Sequence, residues 1–188
     1  MSDCQEGWSA LAQAVAQQGL LALTYPWRAC RPNSIDADLL PRFVDDTRGA
    51  IQFVRAQGAD RLILVGASLG GVASARLAAE AEAVGLVVLA APDVIPGWGF
   101  RISAADLDTA APKLFMTADN DDTVSAEATR QLYDLAADPK EWQTYPGSAH
   151  GTDLLTAGNG VSDQAQQRIW QFILAVSRGE LSGSVPIP

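Results

Sequence analysis

The chain has 188 residues, of which 48% are hydrophobic and 19% charged, and its net charge is −9. That composition fills a sizeable core and excludes a wholly disordered chain. The acidic balance argues against a nucleic-acid or anionic-membrane partner, because both require a basic face.

In chain order, residues 8–18 carry Leu11 and Val15 at helical spacing, and Gly19 is placed to end that helix. The run "LLALTYP" (20–26) reads as a short buried strand, and the polar, proline-punctuated stretch 28–40 reads as a loop. Pro41 opens a second helix with Phe43, Val44, Ile51 and Val54 on one face, ending near Gly58. "RLILVGAS" (61–68) is the next strand and 69–82 an alanine-rich helix. "GLVVLAAPD" (85–93) and "KLFMTAD" (113–119) are strands without polar alternation. A helix follows over 125–137, with Ser125 as its N-cap and Glu127 in its first turn. "EWQTYPG" (141–147) reads as a strand, and 162–177 as a last helix with Ile169, Phe172, Ile173 and Val176 on one face.

Strands apolar on both faces, alternating with amphipathic helices, predict an α/β fold. Its sheet should be open and mostly parallel, with helices on both faces. No repeat or linker divides the chain, so one domain is expected over 1–180, followed by a loose tail over 181–188. Cys4 and Cys30 are too few for a disulfide scaffold and are expected as free thiols, with a bridge between them as the lesser alternative. The first residues, "MSDCQEGW", lack a basic patch followed by an apolar run, and no apolar stretch approaches the roughly 20 residues of a membrane helix. The expected address is the cytoplasm, with no membrane partner.

The apolar run 62–65 breaks at Gly66-Ala67-Ser68-Leu69-Gly70, at the carboxyl end of a strand and the start of a helix. In open parallel sheets that rim is where ligands bind. The G-x-S-x-G spacing suits a tight turn that lifts the Ser68 hydroxyl out of the sheet and aims the Leu69 N–H at a developing oxyanion. A serine nucleophile needs a base. The chain has one histidine, His150, in "YPGSAHG" just past the last strand. A carboxylate to orient that imidazole could be Asp119, Asp121 or Asp122 in "TADNDDTV", or Asp93 after another strand.

With those residues the chain resembles the α/β-hydrolase superfamily, and within it the compact lidless esterases and dienelactone-hydrolase-like members. The likeness is carried by "W..LAQAVAQQGLLALTYPWR", "LILVGASLGG", "LFMTADNDDTV" and "YPGSAHG". It implies Ser68 as nucleophile and His150 as base. Matching the family's G-x-x-D-x-x-V pattern to Val124 implies Asp121 as the acid. Typical dienelactone hydrolases carry cysteine where this chain has Ser68.

The resemblance also implies a strand and an oxyanion loop ahead of residue 8. The family fold would then be N-terminally shortened here, either by truncation or by direct pairing of the strands at 20–26 and 61–68. The second oxyanion donor would come from residues 1–3, with the Ser2 N–H as candidate.

Residues 94–112 leave room for one short helix and no lid domain, so a shallow pocket for small or short-acyl substrates is expected. Trp98 and Phe100 could line it, with Trp27 facing it from its loop. Trp142 and Trp170 are expected as packing residues. No cofactor is implied: one histidine and two distant cysteines give no zinc spacing, and "GASLGG" lacks the dinucleotide register. The sequence thus predicts a serine esterase with a small-molecule ester substrate. The alternative is a catalytically weak or inactive relative that binds a ligand or partner. The oligomeric state is left open.

Overall fold

A computed structural model describes residues 5–31, 34–156 and 160–181. It divides into two compact units, Met1–Asp60 and Arg61–Pro188.

In the first unit a short 3-10 turn leads into α1 (Ser9–Ala16), whose buried residues are Leu11 and Val15. Gly19, at φ +80°, follows the end of this helix. Residues 20–27 form no strand, which corrects the expectation for 20–26. A strand exists only where a neighbour takes its backbone groups. Leu21 and Leu23 are also exposed, at 65% and 39%. The apolar run is therefore neither paired nor fully buried, and there is no strand at 20–26 to close up against another. The expected loop at 28–40 contains a two-residue antiparallel ladder of β1 (Cys30–Arg31) and β2 (Ser34–Ile35). Cys30 is disulfide-bonded, which overturns the free-thiol expectation and removes that argument for a reducing compartment. α2 (Phe43–Ala56) follows a 3-10 turn that contains Pro41. It buries Phe43 and Thr47. Arg28 anchors the preceding segment to it, with its backbone N–H 2.9 Å from Asp46 Oδ2 and its Nε on Oδ1.

The second unit is built on β3 (Ile63–Ala67), α3 (Leu69–Leu77), β4 (Gly85–Leu89), β5 (Val94–Ile95) and β6 (Phe100–Arg101), then β7 (Lys113–Ala118), α4 (Ala126–Leu135), β8 (Lys140–Tyr145) and α5 (Ser162–Ser177). Its four long strands form one parallel sheet in the order β3-β4-β7-β8. Every residue of β4 and β7 is buried, as a sheet covered on both faces requires. A Cβ on Gly85 would meet Val176 of α5 at 3.0 Å, while one on Gly71 of α3 would meet Val88 at 3.2 Å. Residues 85 and 88 point to opposite faces of β4, so α5 and α3 cover opposite faces. α4 packs against β7 and β8. Ser125 caps α4 by accepting from the Ala128 N–H at 3.2 Å.

At the amino end of β7, Lys113 is 1% exposed. Its ammonium donates to the carbonyls of Thr109, Ala111 and Ala137 at 2.6, 2.8 and 3.0 Å. Burial pulls its pKa from 10.5 down to about 8. Residues 94–112 hold no α-helix. β5 and β6 instead make an antiparallel hairpin, and a 3-10 turn at Ala104–Asp106 follows. The carboxylate of Asp106 accepts from the Ser103 N–H and Oγ and pairs with Arg76, which ties this segment to α3. Among the described residues, no helix is long and apolar enough to cross a membrane.

Candidate active site

Ser68 sits between β3 and α3 at φ +52°, ψ −124°, a backbone region that a side-chain-bearing residue rarely adopts. Its backbone is held from both sides. The Ser68 N–H donates to the Leu89 carbonyl at 2.8 Å, and its own carbonyl accepts from the Val72 N–H at 3.0 Å. Glycine makes the turn possible, since a Cβ on Gly66 would run into the carbonyl group of Gly70. Gly71 lets α3 settle onto the sheet, because a Cβ there would stand 2.7 Å from Ala91 Cβ. Leu69 is the first residue of α3, so its N–H has no acceptor within the helix and lies at the positive end of the helix dipole.

His150 lies in the loop after β8 and Asp121 in the loop after β7, two adjacent strands whose carboxyl ends lie side by side. The imidazole Nδ1 is 2.9 Å from Asp121 Oδ2 and 3.2 Å from Oδ1. A carboxylate only accepts, so the ring carries its proton on Nδ1 and leaves Nε2 free to accept. The Asp121 side chain is wholly buried, against 21% exposure for that of His150. Its Oδ1 also takes the N–H groups of Thr123 and Val124 at 2.9 and 3.0 Å, which fixes the carboxylate independently of the histidine.

The residue after the histidine brings its loop to the serine. Gly151 has φ +56°, and a Cβ there would lie 3.6 Å from Ala67 Cβ and 3.9 Å from Ser68 Cβ. Ser68 Oγ makes no hydrogen bond to the ring among the described residues.

The other aspartates are engaged elsewhere. Asp93 pairs with Arg101 at 3.2 Å, Asp119 accepts from the Gly147 N–H at 3.0 Å, and Asp122 is exposed beside Thr123. Phe100 lies on β6, and Trp98, 38% exposed, lies in the hairpin turn between β5 and β6. Trp27 belongs to the first unit, where its ring meets Phe43 edge-on at 6.0 Å. Trp142 packs edge-on against Tyr133, as a packing residue would. Ser2, the candidate second oxyanion donor, lies outside the described residues. No group of three metal-ligating side chains occurs among the described residues. Sequence reasoning missed the glycine at 151, whose positive φ lets the loop turn beside Ser68. It also missed Asp119's grip on Gly147. The "SAHG" and "YPG" glycines were the only local signals for either.

The family model described as "Alpha/beta hydrolase family" matches residues 2–178. Among solved structures, the chain is similar to the esterase domain of a Rhodothermus marinus protein, at 20% identity and TM-score 0.64, covering 91% of this chain and 79% of that one. It is also similar to an α/β serine hydrolase homologue from Coxiella burnetii, at 20% identity and TM-score 0.67, covering 89% and 76%. A third likeness is to an α/β serine hydrolase without lid from Xanthomonas campestris, at 19% identity and TM-score 0.64, covering 97% and 77%. No curated protein matches the chain.

Proposed function

The chain belongs to the α/β hydrolase family, and from that premise we propose that it is a serine hydrolase of small or short-acyl carboxylic esters. Ser68 attacks the ester carbonyl while His150 Nε2 takes the hydroxyl proton. Asp121 holds the imidazole in the tautomer with Nδ1 protonated and stabilises the imidazolium that forms. The Leu69 N–H receives the oxyanion of the tetrahedral intermediate, helped by the start of α3. His150 then passes the proton to the departing alkoxide, leaving an acyl-Ser68 ester. Water, deprotonated by the same imidazole, attacks this ester and releases the acid.

The observation that carries this reading is the pairing of His150 with a buried Asp121, with Gly151 seated beside Ser68. The small-substrate reading is supported by the segment after β4, which is a short hairpin and a 3-10 turn and contributes no lid domain. The similar serine hydrolase from Xanthomonas campestris is likewise described as without lid. Trp98 and Phe100, on the hairpin that follows β4, are proposed to flank the acyl group.

The test is p-nitrophenyl acetate hydrolysis by the wild type and by Ser68→Ala. The expected result is a loss of roughly 10³-fold or more in the variant. Equal rates would remove Ser68 as nucleophile and leave a hydrolase relative that only binds.

A further inference from the structure

We infer that Asp119 is a positioning residue for His150, acting through the backbone of Gly147. Its catalytic consequence rests on the hydrolase reading above, while the geometry stands apart from it. β7 and β8 run parallel to their last residues, Ala118 and Tyr145. Beyond them the ladder continues briefly, with the Asp119 N–H donating to the Tyr145 carbonyl at 2.9 Å and the Asn120 N–H to the Gly147 carbonyl at 3.0 Å. The Gly147 N–H then donates to Asp119 Oδ1 at 3.0 Å. Both backbone groups of Gly147 are thus held by residues 119 and 120. The same Oδ1 takes the Asn120 side-chain amide at 2.9 Å, which keeps the carboxylate turned toward the loop.

From Gly147 the chain reaches His150 through Ser148 and Ala149, neither of which makes a hydrogen bond among the described residues. The imidazole then returns to Asp121 through Nδ1 at 2.9 Å. Residues 119–121 therefore hold the histidine loop at two points, its root and its ring. Asp121 holds the ring and Asp119 holds the root of the loop.

Gly147 sits at φ +115°, a conformation that glycine alone adopts without strain, and nothing lies within 4 Å of the place a Cβ would take. Open space stands where its side chain would be, and both of its backbone groups are held by hydrogen bonds. Without the Asp119 acceptor the root of the loop gains freedom, and Nε2 moves relative to the serine hydroxyl. A misplacement near 1 Å in such a pair costs about 10²-fold in rate. The task needs only an acceptor oxygen, so asparagine, which keeps Oδ1, performs it.

The experiment compares wild type, Asp119→Ala and Asp119→Asn as full chains. It measures kcat and KM on p-nitrophenyl acetate and the Nδ1–H proton resonance of the imidazole. The chain has a single histidine, so that resonance is unambiguous. The expected result for alanine is a fall in kcat of about 10- to 100-fold with KM within about twofold, and a broadened or shifted Nδ1–H signal. Asparagine restores most of both. Alanine matching the wild type in rate and resonance would overturn the inference. So would asparagine failing as badly as alanine, since charge and not the acceptor would then matter. The resonance is read without substrate: a wild type without esterase activity whose signal responds to alanine and recovers with asparagine retains the inference and discards the hydrolase reading.

Discussion

His150 Nδ1 stands 2.9 Å from Asp121 Oδ2, and the carboxylate that meets it is buried while Asp119 and Asp122, its neighbours in the same loop, are exposed. Two backbone N–H groups already fix Asp121 Oδ1, so the Asp121→Asn side chain keeps its oxygen where it is and presents its amide to the ring. That amide donates, which drives the imidazole proton from Nδ1 to Nε2 and leaves no lone pair for the serine proton. The expected loss in kcat is about 10³–10⁴-fold, with the far-UV circular dichroism of the wild type retained. An asparagine variant as active as the wild type would show that this carboxylate does not orient the base.

Gly66 is the steric key of the serine turn. In Gly66→Ala the new methyl collides with backbone, the Gly70 carbonyl group, which cannot swing aside as a flexible side chain would. The expected destabilisation in urea unfolding is about 3 kcal/mol or more, at the upper end of overpacking costs. Gly49 in α2 is the contrast. Nothing lies within 4 Å of its missing Cβ, and it sits inside a helix. Gly49→Ala should raise stability by about 0.5–1 kcal/mol. Similar effects of the two substitutions would contradict the steric account of the turn.

Lys113 gives the fold a pH dependence of definite sign. Unfolded, its amine keeps its proton up to 10.5, whereas burial in the fold lets it go near 8. Between those values the unfolded chain binds more protons, so stability rises with pH there. Below 8 both states are protonated and the term is constant. Burial raises Tyr25 and Tyr145 above 10.0, which acts in the opposite direction above that pH. Comparison with Lys113→Met isolates the lysine. The wild type should gain unfolding free energy relative to the variant from pH 8 to 10 and hold level from pH 6 to 7.5. A difference that is flat or falls from 8 to 10 would refute the assignment.

The sequence made the serine turn legible because glycine spacing is a steric signal, local to six residues and written in composition. The last helix was equally legible, its expected span matching α5 at both ends, since its apolar face repeats over four turns. Residues 20–26 misled because an apolar run states what a segment would bury and says nothing of whether a neighbour takes its hydrogen bonds. The hairpin of β5 and β6 escaped notice because strands of two residues carry no periodicity. The glycines at 97 and 99, both at positive φ, were its only trace. From the residues alone four aspartates looked alike, and only the resemblance's G-x-x-D-x-x-V pattern singled out Asp121. The structure adds a contact between residues 29 positions apart, His150 and Asp121, which residue type and spacing alone do not encode.

The Ser68 amide is bonded across the sheet to Leu89, whereas the Gly147 amide hangs on one exposed carboxylate. Hydrogen exchange would therefore run on two clocks within a single site. The serine's proton exchanges only when the sheet opens, and the glycine's exchanges with each excursion of its loop. On the proposed hydrolase reading, the two halves can evolve separately: drift in the rim loop retunes His150 while the setting of Ser68, held by the sheet, stays where it was.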